Sequence, residues 1–275
     1  MKITVTINSQ NYEVDRQKPI PIAIPLHFNE SQPNPHGVSP AISTPREVPG
    51  MIGDTRLKGS VNWEQLILTP HSNGTHTECV GHITDERLAV NSCFSESFIA
   101  CTVISVTPLR GGESDDSYLP EKDPKDQLIT KASLTKALDH CEEEFCEGLV
   151  IRTLPNPTDK RHRCYLKNPP AFFSLEAMAY LVKKGVRHLL VDLPSVDRAS
   201  DGGHLAIHRL FWGVAPGSKT LDQKVRQDKT ITEMIFVPDN VPDGQYLLNI
   251  QIPCFMSDAA PSRPLLFPLI PSKKA

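Results

Sequence analysis

From Phe98 to Pro108 the chain reads FIACTVISVTP, β-branched and apolar with no regular polar alternation. That is the pattern of a strand covered on both faces rather than of a half-exposed hairpin. Gly148 to Leu154 and Val186 to Leu193 are further strands, the second broken by Pro194-Ser195. Helices are predicted over Ser133 to Cys141 and Ser174 to Lys184. In the latter, Leu175, Met178, Ala179 and Val182 make an apolar stripe, ended by Gly185 as a C-cap. Trp63 to Thr69, Thr230 to Val237 (TITEMIFV) and Tyr246 to Ile252 read as strands, the last after the turn Pro242-Asp243-Gly244. Residues 3 to 7 and 12 to 14 form a short hairpin. The segment from Pro19 to Pro49 is too rich in proline for regular helix and is expected to lie over another surface, a second subunit among the candidates. Strands mixed with helices, without repeats or low-complexity tracts, indicate a mixed α/β or α+β chain forming one domain over residues 1–275.

Polar residues that interrupt this pattern carry the candidate chemistry. Glu233 alternates onto the face of Ile231, Ile235 and Val237, where a carboxylate needs a cation or a full set of hydrogen bonds, unless the strand is an edge and Glu233 sits at its rim. Asp201-Gly202-Gly203 offers a helix start, and His204 and His208 then fall at i and i+4. The two could bind a metal together, or one could be a ligand and the other a surface residue.

The densest cluster is HSNGTHTECVGH, His71 to His82, which holds three of the ten histidines together with Glu78. In an extended strand His76, Glu78 and His82 share one face. His71 has an odd offset, and one extra residue in a bulge at Asn73-Gly74 would return it to that face. A helical reading also aligns His71, Thr75, Glu78 and His82, but Pro70, Gly74, Gly81 and the threonines oppose it. The competing interpretation is a polar edge strand with histidines bonded to backbone or water. The density of imidazole and carboxylate favours metal ligation.

Composition narrows the function classes. With 39% apolar and 22% charged residues and a net charge of -3 over 275 residues, no global field favours nucleic acid or an anionic membrane. No apolar stretch approaches the roughly 18–20 residues of a membrane span. The opening MKITVTINSQNYEVD alternates instead of forming a signal-peptide core, so a cytoplasmic location is expected. Seven cysteines without a CxxC pair are not a disulfide framework. Cys79 alternates away from Glu78 and reads as a small core residue before a nucleophile.

The set His71, His76, Glu78, His82, His208 and Glu233 suits catalytic zinc or manganese rather than an all-cysteine structural site. A glutamate between two cations would relieve their repulsion. Metal coordination lowers the pKa of water from about 15.7 toward 7, and a second cation polarises a carbonyl, so amide, ester or lactone hydrolysis follows. GxSxG, P-loop, GxGxxG and HExxH motifs are missing from the sequence.

These residues resemble the metal-dependent cyclase-like family that includes bacterial kynurenine formamidase and isatin hydrolase, whose signature is HxGTHxDxPxH. Gly74-Thr75-His76 and His82 match in register. The likeness continues through DLPSVDR (192 to 198), the His-bearing helix, TITE (230 to 233), DGQYLLNIQIP (243 to 253) and DAAPSRP (258 to 264). It spans most of the chain from about residue 50 onward. The resemblance implies a compact β-barrel or β-sheet core flanked by helices, a homodimer or larger homo-oligomer, and a centre of two divalent metals, Zn or Mn, per chain. His71, His76 and Glu78 would hold one metal. Glu78 would bridge to the second, completed by His208, preferred to His204, and Glu233. His82 would be the acid/base that protonates the leaving amine. Three positions depart from the signature: Glu78 stands for Asp, Val80 for Pro, and Asn73 lengthens the gap before Gly74, which makes His71's reach depend on the bulge.

The functional expectation is a metal-dependent hydrolase of a small amide, arylformamidase-like with an N-formylkynurenine-type substrate. The alternatives are a cyclic amide or lactone hydrolase and a non-catalytic metal-binding or small-molecule-binding protein on the same scaffold. The pocket walls are expected from the Pro-rich N-terminal third, with Phe28 and Trp63 as candidates for stacking on an aromatic substrate.

Overall fold

In the computed structural model, which describes residues 2–272, the apolar runs lie side by side at the centre of an eleven-stranded mixed sheet. Numbered along the chain, the strands that matter here are β1 (Thr4–Ile7), β2 (Gln10–Val14), β3 (His76–Cys79), β4 (Ile99–Val106), β5 (Gly148–Thr153), β6 (His188–Val191), β7 (Thr230–Glu233), β8 (Gly244–Gln251), β9 (Ala259–Pro261) and β10 (Arg263–Pro271). Their order across the sheet is β1-β2-β10-β8-β4-β5-β6-β7-β3-β9, with Ile20–Pro21 pairing beside β10. The four strands β4, β5, β6 and β7 are parallel, and antiparallel β8 and β3 flank them.

Alternation within the parallel strands sorts their side chains into two cores. Ile104, Leu149, Ile151, Leu189, Val191 and Ile231 face a layer made by α1 (Lys131–Ala137), α2 (Leu175–Lys183) and α3 (Ala206–Trp212). Cys101, Val103, Val150 and Leu190 point the other way, against Leu248, Ile235, Val237 and Ile22. Burial on both faces is the reason these strands read as continuous apolar runs. Ile22 belongs to the Pro-rich segment, so the start of that segment covers the chain's own sheet: Ile20–Pro21 pairs with β10, and the Ile22 N–H donates to Pro264 at 3.2 Å. Among the described residues, no helix is long and apolar enough to cross a membrane.

Several predicted elements shift for identifiable reasons. α1 begins two residues before the predicted start, because Thr130 and Ser133 form a reciprocal capping box. α2 starts after Ser174, whose hydroxyl accepts the Ala177 N–H, and buries Ala177, Met178 and Leu181. Ala179, expected on the apolar stripe, is exposed. The predicted strand over 230–237 ends at Glu233, since Met234 adopts φ 55 and sends the chain out of the sheet. β7 is an interior strand between β6 and β3, so Glu233 is buried and does not lie on an outer rim. Trp63 is 45% exposed and the neighbouring strand Glu64–Ile67 is exposed throughout, which places Trp63 outside the core.

Downstream of β3 the chain makes one turn of 3-10 helix, Val80–His82, instead of continuing as strand. Gly81 permits the tight approach there: a Cβ at this position would lie 2.2 Å from the Leu88 carbonyl oxygen. Gly81→Ala is therefore expected to lower stability by about 1–3 kcal/mol through forced overpacking, read as a reduced urea midpoint. An unchanged midpoint would show that the turn carrying His82 is not held by this contact.

Candidate metal centre

The segment before β3 folds as a turn. The Ser72 and Asn73 N–H groups both donate to the Thr69 carbonyl at 3.0 Å, and the Asn73 side chain accepts the Thr69 N–H at 2.6 Å. The expected strand bulge at Asn73-Gly74 is thus replaced by a turn that absorbs the additional residue, with Gly74 at φ 127. His71 returns to the cluster by this route, stacking on His82 with ring centroids 4.1 Å apart and meeting His76 edge-on at 5.3 Å. Thr75 anchors the strand entrance, since its hydroxyl accepts the Ile24 N–H at 2.8 Å and donates to the Met234 carbonyl.

Glu78 is 1% exposed and faces two groups of side chains. One carboxylate oxygen, Oε2, is 2.9 Å from His71 Nδ1, and the other, Oε1, is 2.9 Å from His208 Nε2. Across the β3–β7 ladder His76 sits opposite Glu233, and its Nε2 is 3.5 Å from Glu233 Oε2. Glu233 Oε1 accepts the Val196 N–H at 2.9 Å and lies 3.7 Å from His208 Nε2. The candidate donor atoms of His71, His76 and Glu78 fall within 4.8 Å of one another, as do those of Glu78, His208 and Glu233. His82 arrives from the 3-10 turn, not from the strand face, with its side chain 30% exposed and Nε2 3.9 Å from Glu78 Oε2.

A further set of hydrogen bonds fixes which nitrogen each ring turns inward. His76 Nδ1–H donates to the Gly74 carbonyl at 3.0 Å, and His208 Nδ1–H donates to Asp197 Oδ2 at 2.5 Å. His71 Nε2 is bonded to Asp258 Oδ2 at 2.9 Å. Each ring thus engages an oxygen acceptor on one side and directs its other nitrogen toward Glu78 or Glu233, the arrangement that orients imidazole for a cation. His76 Nε2 is the nitrogen that most needs a cation: it is completely buried, carries a lone pair in this tautomer, and has no hydrogen-bond partner. A buried polar atom without a partner is costly, and a divalent cation between His76, His71 and Glu78 would satisfy it. The donor set is nitrogen and oxygen, which accepts Zn or Mn.

Without such a cation, protons must balance the carboxylates. Burial opposes a charge on His71, but Asp258 and Glu78 outweigh it and push its pKa up to about 10. Burial likewise opposes charge on His208, which Glu78 and Asp197 hold well above the ordinary imidazole value. Burial would raise Glu78, yet His82 and His208 keep it well below the usual carboxylate range. The hydrogen bond from His71 does the same for Asp258.

His204 does not join the cluster. α3 begins only at Ala206, after Leu205 in the left-handed conformation, so His204 lies in the preceding loop, exposed, and the expected i, i+4 pair on one helix does not form. Cys79 packs in an apolar cluster with Val90, Cys93 and Ala260, and its contact with Cys93 together with burial pushes the thiol pKa far up. That is the state of a core residue, not of a nucleophile. Sequence reasoning missed the carboxylates behind the histidines. Asp258 Oδ2 also lies 3.5 Å from His82 Nδ1, and Asp197 accepts the Ile207 and His208 N–H groups and the Tyr118 hydroxyl. Both sit in segments that carry the family likeness, DAAPSRP and DLPSVDR, which was the available signal. His36, in the Pro-rich segment, interacts electrostatically with Glu233, His76, His71 and His82, and nothing in the sequence pointed to it.

Metal uptake should release protons, because His71 is protonated below about 10 in the metal-free protein while a ligand nitrogen must be neutral. Calorimetric titration in buffers of different ionisation heat should show on the order of one proton lost per metal and apparent affinity rising between about pH 6 and 8. Heats independent of buffer would contradict this. Asp197→Asn should weaken metal affinity about 10–100-fold by loosening the His208 ring, and undiminished affinity would remove Asp197 from the site.

Comparison with known proteins agrees with this architecture. No curated protein sequence matches the chain at a significant level. Among solved structures it is similar to a potential metal-dependent hydrolase with cyclase activity, 17% identical over 91% of this chain and 97% of the other, with a TM-score of 0.58. It is similar to a predicted metal-dependent hydrolase from Bacillus stearothermophilus, 17% identical over 91% and 98%, TM-score 0.56. It is also similar to isatin hydrolase A from Labrenzia aggregata, 15% identical over 91% and 93%, TM-score 0.60. At these identities the likeness establishes the fold. The family model described as "Putative cyclase" matches residues 3–198, more than half of the sequence, and the chain therefore belongs to the cyclase family.

Proposed function

We propose that the protein is a metal-dependent hydrolase of a small amide, arylformamidase-like in accepting an N-formylkynurenine-type substrate. The observation that carries this reading is Glu78, a buried carboxylate whose two oxygens face His71 and His208 separately at 2.9 Å. His71, His76 and Glu78 would hold one divalent cation, Zn or Mn, and Glu78, His208 and Glu233 a second. When bound, such a centre supplies water activated at neutral pH and polarisation of a carbonyl.

The chain's own residues define the rest. His82, more exposed than Glu78 and reached by Asp258, is placed to move a proton: its Nδ1 faces the carboxylate while its Nε2 faces the cluster. Asp258 positions this ring and the stacked His71 ring together. Protonation of the departing nitrogen by His82 would let an anilide-type amine leave as the neutral species. Glu233, held through Oε1 by the Val196 N–H, keeps its other oxygen toward His76.

A cyclic amide is the second reading. Isatin, named for one of the similar structures, is itself a cyclic amide, and the same carbonyl attack would open its ring.

The test is hydrolysis of N-formylkynurenine and of isatin by protein purified with metal supplied. Turnover of either is expected. His82→Ala should lower kcat about 10²–10⁴-fold while metal content is retained, and Glu78→Ala should lose both metal and activity. Tight binding of these compounds without product would instead support a binding protein on this scaffold. Full activity in His82→Ala would remove the proposed acid/base.

A further inference from the structure

α3 has two working faces. Ile207, His208, Phe211 and Trp212 are buried toward the sheet, whereas Ala206, Arg209, Leu210 and Gly213, one helical stripe on the opposite side, line a cavity of about 580 Å³. Leu119, Leu175 and Val214 complete its apolar walls. That volume suits a small organic molecule.

Two half-buried arginines give the cavity its charge. Arg209 donates through Nε to the His204 carbonyl at 3.0 Å and through Nη1 to those of Ala215 and Ser218 at 3.1 and 2.6 Å. Arg226 donates through Nε to the Phe211 carbonyl at 2.9 Å and through Nη2 to that of Leu210 at 2.6 Å. Backbone carbonyls fix both guanidinium groups, but among the described residues neither has a carboxylate partner, and Arg209 Nη2 and Arg226 Nη1 keep N–H groups without a bond. Burial holds the Arg226 pKa below its ordinary value, against a smaller opposing pull from Asp228, whose carboxylate is bonded to Arg187. Lys224 adds positive charge at the rim. Asp222, the carboxylate on the lining, accepts the Lys224 backbone N–H at 2.7 Å. The lining therefore combines apolar walls with excess positive charge and fixed, unused donors. Planar donors in this state match a carboxylate.

We propose that this cavity is a second binding site, separate from the metal cluster, for a small amphipathic carboxylate: an apolar body against Leu119, Leu175, Leu210 and Val214, and an anionic head at Arg209 and Arg226. This inference stands independently of the hydrolase reading, since the one histidine on the lining, His204, lies outside the metal cluster and none of the clustered residues borders the cavity.

Isothermal titration of the purified protein with octanoate, below its micellar range, and with octanamide tests it. Octanoate is expected to bind saturably, one per chain, and about tenfold or more tighter than the neutral amide. Leu210→Trp, which fills the cavity, should abolish binding. Lys224→Glu, on the exposed rim and without structural contacts to lose, should weaken it about threefold or more and reduce its salt dependence. Glu78→Gln should bind octanoate as the parent protein does. The proposal is overturned if octanoate fails to bind, if the amide binds equally well, or if binding survives in folded Leu210→Trp. It is equally overturned if Glu78→Gln abolishes binding, which would place the anion at the metal cluster. Should Leu210→Trp not fold, Lys224→Glu decides, and unchanged affinity there counts against the site.

Discussion

Everything around the candidate centre answers to one buried charge, the carboxylate of Glu78. An ionised carboxylate at this depth is tenable only with cations or strong donors on both oxygens. The fold provides His71 on one side and His208 on the other, each at 2.9 Å. Those two imidazoles are in turn anchored by Asp258 and Asp197. The arrangement is thus a chain of alternating acid and base running from the loop at 258 through β3 to the start of α3. Within it His76 Nε2, 3.5 Å from Glu233 Oε2, is the buried nitrogen without a hydrogen-bond partner.

Sheet topology explains how residues far apart in sequence reach one point. β3 inserts antiparallel between β7 and β9, which sets His76 opposite both Glu233 and Pro261 and sets Glu78 opposite Ile231 and Ala259. Asp258, immediately before β9, comes beside His71 and His82 as a consequence. α3 follows the parallel strand β6 and presents His208 from the helix layer, with Asp197 serving both the helix's first N–H groups and the ring. A carboxylate at that position also suits the partial positive charge of a helix start. His76, Glu78, Glu233 and His208 consequently stand on β3, β7 and α3, a basis for precise ligand placement, while His71, His82 and Asp258 come from the turns that adjoin β3 and β9.

Much of this was legible in the chain, and the failures have physical causes. Continuous apolar runs revealed the parallel strands because both of their faces are covered. The anomalous carboxylate Glu233 and the dense segment 71–82 revealed where chemistry gathers, and the cyclase resemblance found the same residues. Local periodicity misled where the backbone leaves regular geometry: the turn at 69–73 replaced a bulge, the 3-10 turn carried His82 off the strand, and Met234 ended β7 early. His204 was paired with His208 because spacing alone cannot show that Leu205 adopts a left-handed conformation before the helix begins. Asp197 and Asp258 stayed unassigned because their partners are 11 and 187 residues away, contacts that only the folded chain creates.

The proposal that Glu78 would lie between two cations is tested by anomalous diffraction from crystals grown with Zn or Mn. Two anomalous peaks are expected about 3.5–4 Å apart, one beside His71 and His76 and the other beside His208 and Glu233, with a Glu78 oxygen toward each. A single peak remote from Glu78, or none while His76 Nε2 stays without a partner, would contradict it.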